Sequence, residues 1–458
     1  MCGIIGVSRH KDAAQIAYSG LYALQHRGEE GAGIASYDGR HIHLKKQRGL
    51  VADAFDEAAI KDLKGTTAIG HCRYSTTGSS NLKNIQPFQV IHKGVPIAIS
   101  HNGNLTNTEE LYKQLEEEGA LFQTTMDSEI IVHLLARNRN GDLEKNFVEV
   151  LTQLKGAYSL VFLIGEMIVG ARDPEGFRPL CLGKFDGSYI LASESCALDL
   201  IGATFEREIE PGEIVFIEGK KLKSVYLPNR ELHKKAHCIF ENIYFARPDS
   251  NIFGDNVYRV RKRLGQQLAK EAPAEADFVM SIPDSGNYAA LGYAQEIGIP
   301  YEVGIIRNHY IGRTFIQPTQ LLRDLRVKIK LNPIRDVLKG KRIIIVEDSI
   351  VRGTTSRGRV EALRLAGVKE IHMRISCPPI KHPCFYGIDF PDEGELIASK
   401  KSVEEIAKFI KVDSLKYLSH EGMLSVMKEA NDYCHACFTG QYPVEVPKTK
   451  SKYVLEQQ

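Results

Sequence analysis

The chain has 458 residues, 59 Lys and Arg against 57 Asp and Glu, and 43% apolar residues. That length predicts two to four domains, each able to bury its own core. The balanced charge excludes the strongly basic surface of a dedicated nucleic-acid binder, and no apolar run approaches the ~20 residues of a membrane span. The N-terminus lacks the basic-then-apolar pattern of a secretory leader. Nine cysteines are widely scattered, which fits a reducing compartment better than a disulfide framework. The expectation is a cytoplasmic protein with neither a nucleic-acid nor a membrane partner.

The first feature in chain order is Cys2, in Met1-Cys2-Gly3-Ile4-Ile5-Gly6-Val7. Loss of Met1 would put a thiol and a free α-amine on one residue, a nucleophile beside its own base. The two groups titrate near ~8.5 and ~8, so both exchange protons around neutrality. A Cys at this place can equally be an ordinary side chain. Residues 13–24 and 128–136 have helical periodicity, whereas 158–164 and 214–217 are short apolar runs with Gly, Asp and Pro at their ends and predict strands. A layered αβ domain over residues 2–232 accounts for them.

The polar, basic stretch 228–237 predicts a joint. Beyond it, helical pattern (259–272, 287–296, about 356–366) alternates with strand pattern (276–282, 342–346), which predicts a mainly parallel sheet covered by helices. Ser402-Val403-Glu404-Glu405 has the form of a capping box. The last ~10 residues are polar and predicted to fray.

A glutamine-cleaving site needs a thiolate, a base, donors for a tetrahedral oxyanion, and partners for the substrate's carboxylate and ammonium groups. Each has a candidate here. His71-Cys72-Arg73-Tyr74-Ser75-Thr76-Thr77-Gly78 offers a guanidinium for a carboxylate. Ser100-His101-Asn102-Gly103-Asn104-Leu105 offers a side-chain amide next to a glycine N–H, and Asp127, in Thr125-Met126-Asp127-Ser128-Glu129, could face an ammonium. Taken singly, Asn102-Gly103 reads as a turn, Asp127-Ser128 as a helix cap and Arg73 as a surface ion pair.

Taken in order, together with Leu24-Gln25-His26-Arg27-Gly28, these segments resemble the class II, N-terminal-nucleophile glutamine amidotransferase domain. The resemblance implies a four-layer αββα fold over 2–232, with Cys2 as nucleophile and its amine as base. It further implies an oxyanion hole from Asn102 and Gly103, and glutamine held by Arg73 and Asp127 with Arg27 close by.

Arg342-Ile343-Ile344-Ile345-Val346-Glu347-Asp348-Ser349-Ile350-Val351-Arg352-Gly353-Thr354-Thr355-Ser356 delivers two carboxylates and then a loop of Gly and hydroxyl residues into a helix. Backbone N–H groups and hydroxyls at a helix N-terminus suit a phosphate, and the carboxylates suit sugar hydroxyls or hydrated Mg²⁺. A plain strand–turn–helix with an acidic cap is the alternative. The literal sequence resembles the 5-phosphoribosyl-1-pyrophosphate (PRPP) motif of type I phosphoribosyltransferases, and with the N-terminal half it is similar to the glutamine-dependent amidophosphoribosyltransferase family of purine synthesis.

That resemblance implies a second, α/β domain over 233–458, with a C-terminal helical segment. PRPP would be bound by Asp284, Ser285, Gly286, Ser349, Arg352, Gly353, Thr354, Thr355 and Ser356, and Mg²⁺ by Ser285, Glu347 and Asp348. The acidic pair is usually Asp-Asp in the family; here the first member is Glu347, one methylene longer. Residues 307–318 resemble the loop that closes over PRPP, with His309 replacing a fixed positive charge, so that closure depends on pH. The family further implies internal passage of ammonia, purine nucleotide inhibitors and a homotetramer or homodimer.

Cys434-His435-Ala436-Cys437 is a C-x-x-C that alone fits zinc, redox chemistry or neither. The resemblance adds Cys238 and Cys384, positions that ligate a [4Fe–4S] cluster in the iron–sulfur branch of the family. Four thiolates suit such a cluster, and four free thiols are the rival. Cys72, Cys181, Cys196 and Cys377 are then expected to pack as small hydrophobes. Two other functions compete: a PRPP-binding regulatory protein without catalysis, which has no use for the Cys2 constellation, and a class II amidotransferase serving another acceptor, which has no use for the PRPP motif.

Overall fold

The computed structural model describes residues 1–74, 81–137, 141–308, 331–390, 392–447 and 455–456. Ser75 to Gly78 of the arginine motif and His309 with nearly all of the closing-loop stretch fall outside them, as do most of the last ten residues.

The N-terminal half is two antiparallel sheets packed face to face. One has seven strands, with Gly3–Val7 between Ser188–Ala192 and Thr67–Arg73; the other has six, centred on Gly156–Ile164 and Met167–Arg172. Ile4, Ile69, Val161, Leu163, Leu191 and Val215 fill the layer between the sheets. Helix Ala13–Ala23 covers the outer face of the first sheet, and helices Asp127–Arg137 and Leu143–Thr152 that of the second. The alternation of small and branched residues in Gly3–Val7 serves this sandwich. All five residues are buried, and a Cβ on Gly6 would lie 2.7 Å from Val161 Cγ1. The arrangement is αββα.

The C-terminal half carries a four-stranded sheet, all parallel, in the order Phe278–Ser281, Arg342–Glu347, Glu370–Ile375, Ser414–Tyr417. Its second strand is buried from Ile343 to Glu347 and apolar from Ile343 to Val346, as a parallel strand covered on both faces must be. Helices Val257–Glu271, Asn287–Ile297, Thr354–Leu365 and Val403–Ile410 pack on it. The last begins with the expected capping box, Ser402 and Glu405 exchanging hydrogen bonds with each other's backbone. Element ends depart from the sequence pattern by up to two residues. The departure that matters is helix Thr354–Leu365, which starts before Ser356 because Gly353 takes a left-handed φ of 75° and turns the chain directly into it.

The segment 228–237 holds only the short turn Arg230–Leu232 before strand His237–Cys238, which pairs in parallel with Tyr433–Cys434. The end of the second half is thereby tied back to its beginning. Among the described residues, no helix is long and apolar enough to cross a membrane.

Candidate active sites

Strand Gly3–Val7 places Cys2 at a sheet end, with Gly3 opposite Cys72 and Arg73 next along the neighbouring strand. Asn102 does not sit in a turn. It lies within the long strand Val95–Leu105, fully buried and opposite Ser159. Its Oδ1 accepts the backbone N–H of Cys2 at 3.1 Å, while its Nδ2 is buried with no hydrogen-bond partner. A buried amide donor left unpaired costs stability, so its place beside the Cys2 thiol points to a ligand oxygen. Gly103 is enforced by contact: a Cβ there would stand 2.0 Å from the carbonyl oxygen of Ala157.

Arg73 is buried rather than a surface residue, 4% exposed, with Nη1 donating to the carbonyl of Asn84. Burial lowers its pKa against the pull of Cys2, Glu30 and Asp127. Asp127 opens helix Asp127–Arg137, yet its carboxylate is turned inward. Oδ2 accepts from Leu105 N at 3.1 Å, and Oδ1 lies 3.3 Å from His101 Nδ1. Burial pushes this carboxyl up, but His101 and the hydrogen bonds outweigh it and hold the pKa below the ordinary value. Arg73 and Asp127 thus bracket the Cys2 end of the sheet with one fixed charge of each sign.

Arg27 is close by, on the backbone side of Cys2. It is completely buried behind the nucleophile, its Nε donating to the Cys2 carbonyl at 2.9 Å. Its Nη2 meets Glu241 at 2.8 Å, and its Nη1 meets Glu194 as well as Glu241. Four of its five N–H donors are therefore taken by protein. Sequence reasoning missed Glu194, Glu241 and Arg178, since acids 167 and 214 residues from Arg27 carry no local signal.

In the C-terminal half, a cavity of about 740 Å³ lies over the ends of the first two parallel strands. Asp284, Ser285 and residues 347–356 line it, together with Arg359, Arg307 and Tyr244. The cavity also reaches His26 and Tyr74 of the N-terminal half. Ser285 Oγ donates to Asp348 Oδ2 at 2.5 Å, and Ser349 Oγ donates to the other oxygen. Asp284 is ion-paired with Arg307, and Arg352 Nε is 2.8 Å from Glu395. Thr354 and Thr355 begin the helix behind Gly353, so their N–H groups and hydroxyls belong to its positive end. Gly286 must lack a side chain, because a Cβ would lie 2.6 Å from the carbonyl oxygen of Val346.

Glu347 does not stand with Asp348. Its carboxylate is ion-paired with Arg359 and accepts Ser356 Oγ at 3.3 Å. Burial pushes its carboxyl up to about 7, with Arg359 pulling down and Asp348 adding to the rise. Nothing in the bare sequence distinguished Arg359 from any helix-surface arginine.

The four expected cluster cysteines share one region. Cys238 is in register with Cys434, and the Cys437 carbonyl accepts the N–H groups of Lys381 and His382 at 3.0 Å, which draws in the segment bearing Cys384. Burial raises the Cys238, Cys434 and Cys437 thiols, and the neighbouring cysteines raise them further. Such a set holds protons on its sulfurs unless a cation compensates them, which fits a thiolate-bound group. Among the described residues, however, no three His, Cys, Asp or Glu side chains are close enough to grip a metal ion. The other four expected thiols, Cys72, Cys181, Cys196 and Cys377, are all buried.

Residues 71–199 match the glutamine amidotransferase domain family, and residues 252–384 the phosphoribosyl transferase domain family. An amidophosphoribosyltransferase of Synechocystis sp. is 51% identical over 99% of this chain and 94% of its own length. One from Archaeoglobus fulgidus is 48% identical over 98% of this chain and 99% of its own. The chain belongs to the amidophosphoribosyltransferase family. Among solved structures, the family member from B. subtilis described as a glutamine PRPP amidotransferase complexed with ADP and GMP superposes with a TM-score of 0.92. That pair is 46% identical over 98% of this chain and 99% of the other. A second family structure, described as the allosteric regulatory enzyme of purine biosynthesis, gives a TM-score of 0.94 at 45% identity, with both chains fully covered.

Proposed function

We infer that this chain makes 5-phosphoribosylamine, glutamate and pyrophosphate from glutamine, PRPP and water, the first committed chemistry of purine synthesis, using two sites in sequence. The observation that carries the first site is the divided amide of Asn102, with Oδ1 on the Cys2 N–H and Nδ2 buried and unpaired. With Met1 removed, that N–H belongs to a free amine. The amine takes the thiol proton, and the thiolate attacks the side-chain amide carbon of glutamine. Asn102 Nδ2 and the Gly103 N–H receive the oxyanion. The amine returns its proton to departing ammonia, and water then hydrolyses the thioester to glutamate. Arg73 and Asp127 are proposed to hold the α-carboxylate and α-ammonium groups of glutamine. Arg27 is proposed to fix the Cys2 backbone from behind.

At the second site, the N–H groups of residues 349–356 and the hydroxyls of Thr354 and Thr355 are proposed to cradle the ribose phosphate, with Asp284, Ser285 and Gly286 meeting the pyrophosphate. An all-oxygen donor set of Asp348 and Ser285 suits Mg²⁺, which when bound would stabilise the pyrophosphate leaving group. Ammonia attacks the anomeric carbon as pyrophosphate leaves. A cavity lined by His26 and Tyr74 as well as by the phosphate loop supports internal delivery of that ammonia. Cys238, Cys384, Cys434 and Cys437 are proposed to hold a [4Fe–4S] cluster, whose place would pin the strand pair at 237–238 and 433–434.

We further propose domains at 2–232 and 233–458, cytoplasmic location, homotetramer or homodimer assembly and inhibition by purine nucleotides. The ADP and GMP of the B. subtilis relative support the last of these. A Cys2→Ala protein tests the scheme. It should lose glutamine-driven release of pyrophosphate and keep release driven by ammonium salts at high pH. Retained activity on glutamine would remove Cys2 from the mechanism.

A further inference from the structure

Helix Thr354–Leu365 presents Ser356 and Arg359 three residues apart, so both lie on one face. That face is turned to the end of strand Arg342–Glu347. Both side chains reach the same carboxylate, Ser356 at one oxygen of Glu347 and Arg359 at the other. Glu347 is almost wholly buried, 5% exposed, and both it and Arg359 line the cavity of the phosphate loop. Asp348 makes a separate set of contacts with Ser285 and Ser349. The two adjacent acids are thus divided between two networks.

We infer that Arg359 is a positioning residue for the phosphoribosyl reaction: it anchors the longer Glu347 side chain so that its remaining lone pairs accept the ribose hydroxyls, and it leaves the metal to Asp348 and Ser285. This rests on the PRPP-binding function proposed above.

An ionised carboxylate offers about four acceptor positions. Arg359 and Ser356 occupy two of them, one on each oxygen, and two remain for a pair of O–H donors. A vicinal diol supplies such a pair. Without the guanidinium, a carboxyl this deeply buried and next to Asp348 loses its compensating charge. It would turn away from its present place, and its two free acceptor positions would no longer face the diol. The added methylene of Glu over Asp matters here, because a shorter side chain on the same strand would draw back from Arg359. Tyr244 lies within the same electrostatic neighbourhood but is neutral at physiological pH, so it cannot replace the guanidinium.

The test is binding of ribose 5-phosphate and of 2,3-dideoxyribose 5-phosphate by calorimetry, in EDTA so that no metal takes part. The proteins are the full-length wild type, Arg359→Met, Arg359→Lys, Glu347→Gln and the Glu347→Gln/Arg359→Met double variant. Arg359→Met should weaken ribose 5-phosphate roughly ten- to hundredfold, the range for losing a charge-assisted hydrogen bond, and leave the dideoxy sugar within about twofold. Arg359→Lys should recover part of the loss. In the Glu347→Gln background, adding Arg359→Met should change little. Equal binding of ribose 5-phosphate by wild type and Arg359→Met would overturn the inference. So would equal weakening of both sugars, or an undiminished Arg359→Met effect in the Glu347→Gln background. If the wild type bound neither sugar, the PRPP reading would fail, and this inference with it.

Discussion

Arg27 Nε donates to the backbone carbonyl of Cys2 at 2.9 Å, while its guanidinium is filled by Glu194 from the N-terminal half and Glu241 from the C-terminal half. The residue that holds the Cys2 backbone is therefore also one that joins the two halves. His26 Nε2 lies 2.8 Å from Glu194, and Ser250 Oγ donates to the same carboxylate at 2.7 Å. Arg178 stands 3.5 Å from Glu241 and also donates to the carbonyl of Tyr386, two residues from Cys384.

Arg27→Met should unfold at lower temperature and lose glutaminase activity together. It takes the bridging guanidinium from two buried carboxylates, leaving Glu241 to Arg178 at 3.5 Å and Glu194 to His26 at 2.8 Å, and breaking such a buried pair costs roughly 3–5 kcal/mol. Thermal melting and the rate of glutamate release would check it. A variant that melts with the wild type but releases glutamate slowly would limit Arg27 to a local role at Cys2.

Gly103→Ala should remove glutamine hydrolysis by at least ~100-fold, the scale of losing an oxyanion donor, because its methyl would collide with the Ala157 carbonyl at 2.0 Å. The strand would have to shift, and Asn102 with it. Ammonia-driven pyrophosphate release should survive, since the phosphate loop lies in the other half. Loss of both activities would mean that the shift spreads through the domain contact.

His71 makes stability depend on pH. It is fully buried, Nε2 on the His101 carbonyl at 3.2 Å and Nδ1 unpaired. Burial first, and then Arg73, lower its pKa to about 3, against ~6.5 in an unfolded chain. As pH falls below ~6.5 the unfolded chain binds the proton first, so stability is full above that value and is lost progressively toward pH 3. The loss is roughly 3–5 kcal/mol at the acid end. His71→Asn should flatten urea-unfolding stability against pH between 6.5 and 3; an unchanged slope would assign the acid lability to other groups.

Iron–sulfur loading is checked by spectroscopy. Anaerobically purified protein should contain iron and sulfide and absorb broadly near ~400 nm, as such clusters do. Cys434→Ala should lose both. It should also melt earlier, because the pairing of Tyr433–Cys434 with His237–Cys238 would lose its clasp. Protein without iron or sulfide that is as stable as the Cys434→Ala variant would leave four plain thiols.

Much of this was legible in the chain itself. The apolar residues 343–346 and the Gly353 turn announce a strand, turn and helix, because a buried parallel strand and a positive-φ turn restrict residue type locally. Cys2 and Asn102 were grouped in the sequence and the structure joins them by a hydrogen bond, although Asn102-Gly103 reads locally as a turn and proves to lie in a strand whose register is fixed by Gly156–Ile164. Glu241, the buried partner of Arg27, was missed. A buried ion pair across two halves depends on packing between residues more than two hundred positions apart. Glu347 and Asp348 were grouped by adjacency and line one cavity, but the helix packed alongside supplies Arg359, the partner of Glu347, and no local signal marks it.

The measurement that bears most directly on the central claim is simultaneous release of glutamate and pyrophosphate by anaerobically purified protein given glutamine, Mg²⁺ and PRPP. A coupled two-site enzyme predicts equal amounts of both, each dependent on PRPP. Glutamate formed without pyrophosphate would contradict the coupling, and neither product, with PRPP still bound, would make the chain a PRPP-binding regulatory protein.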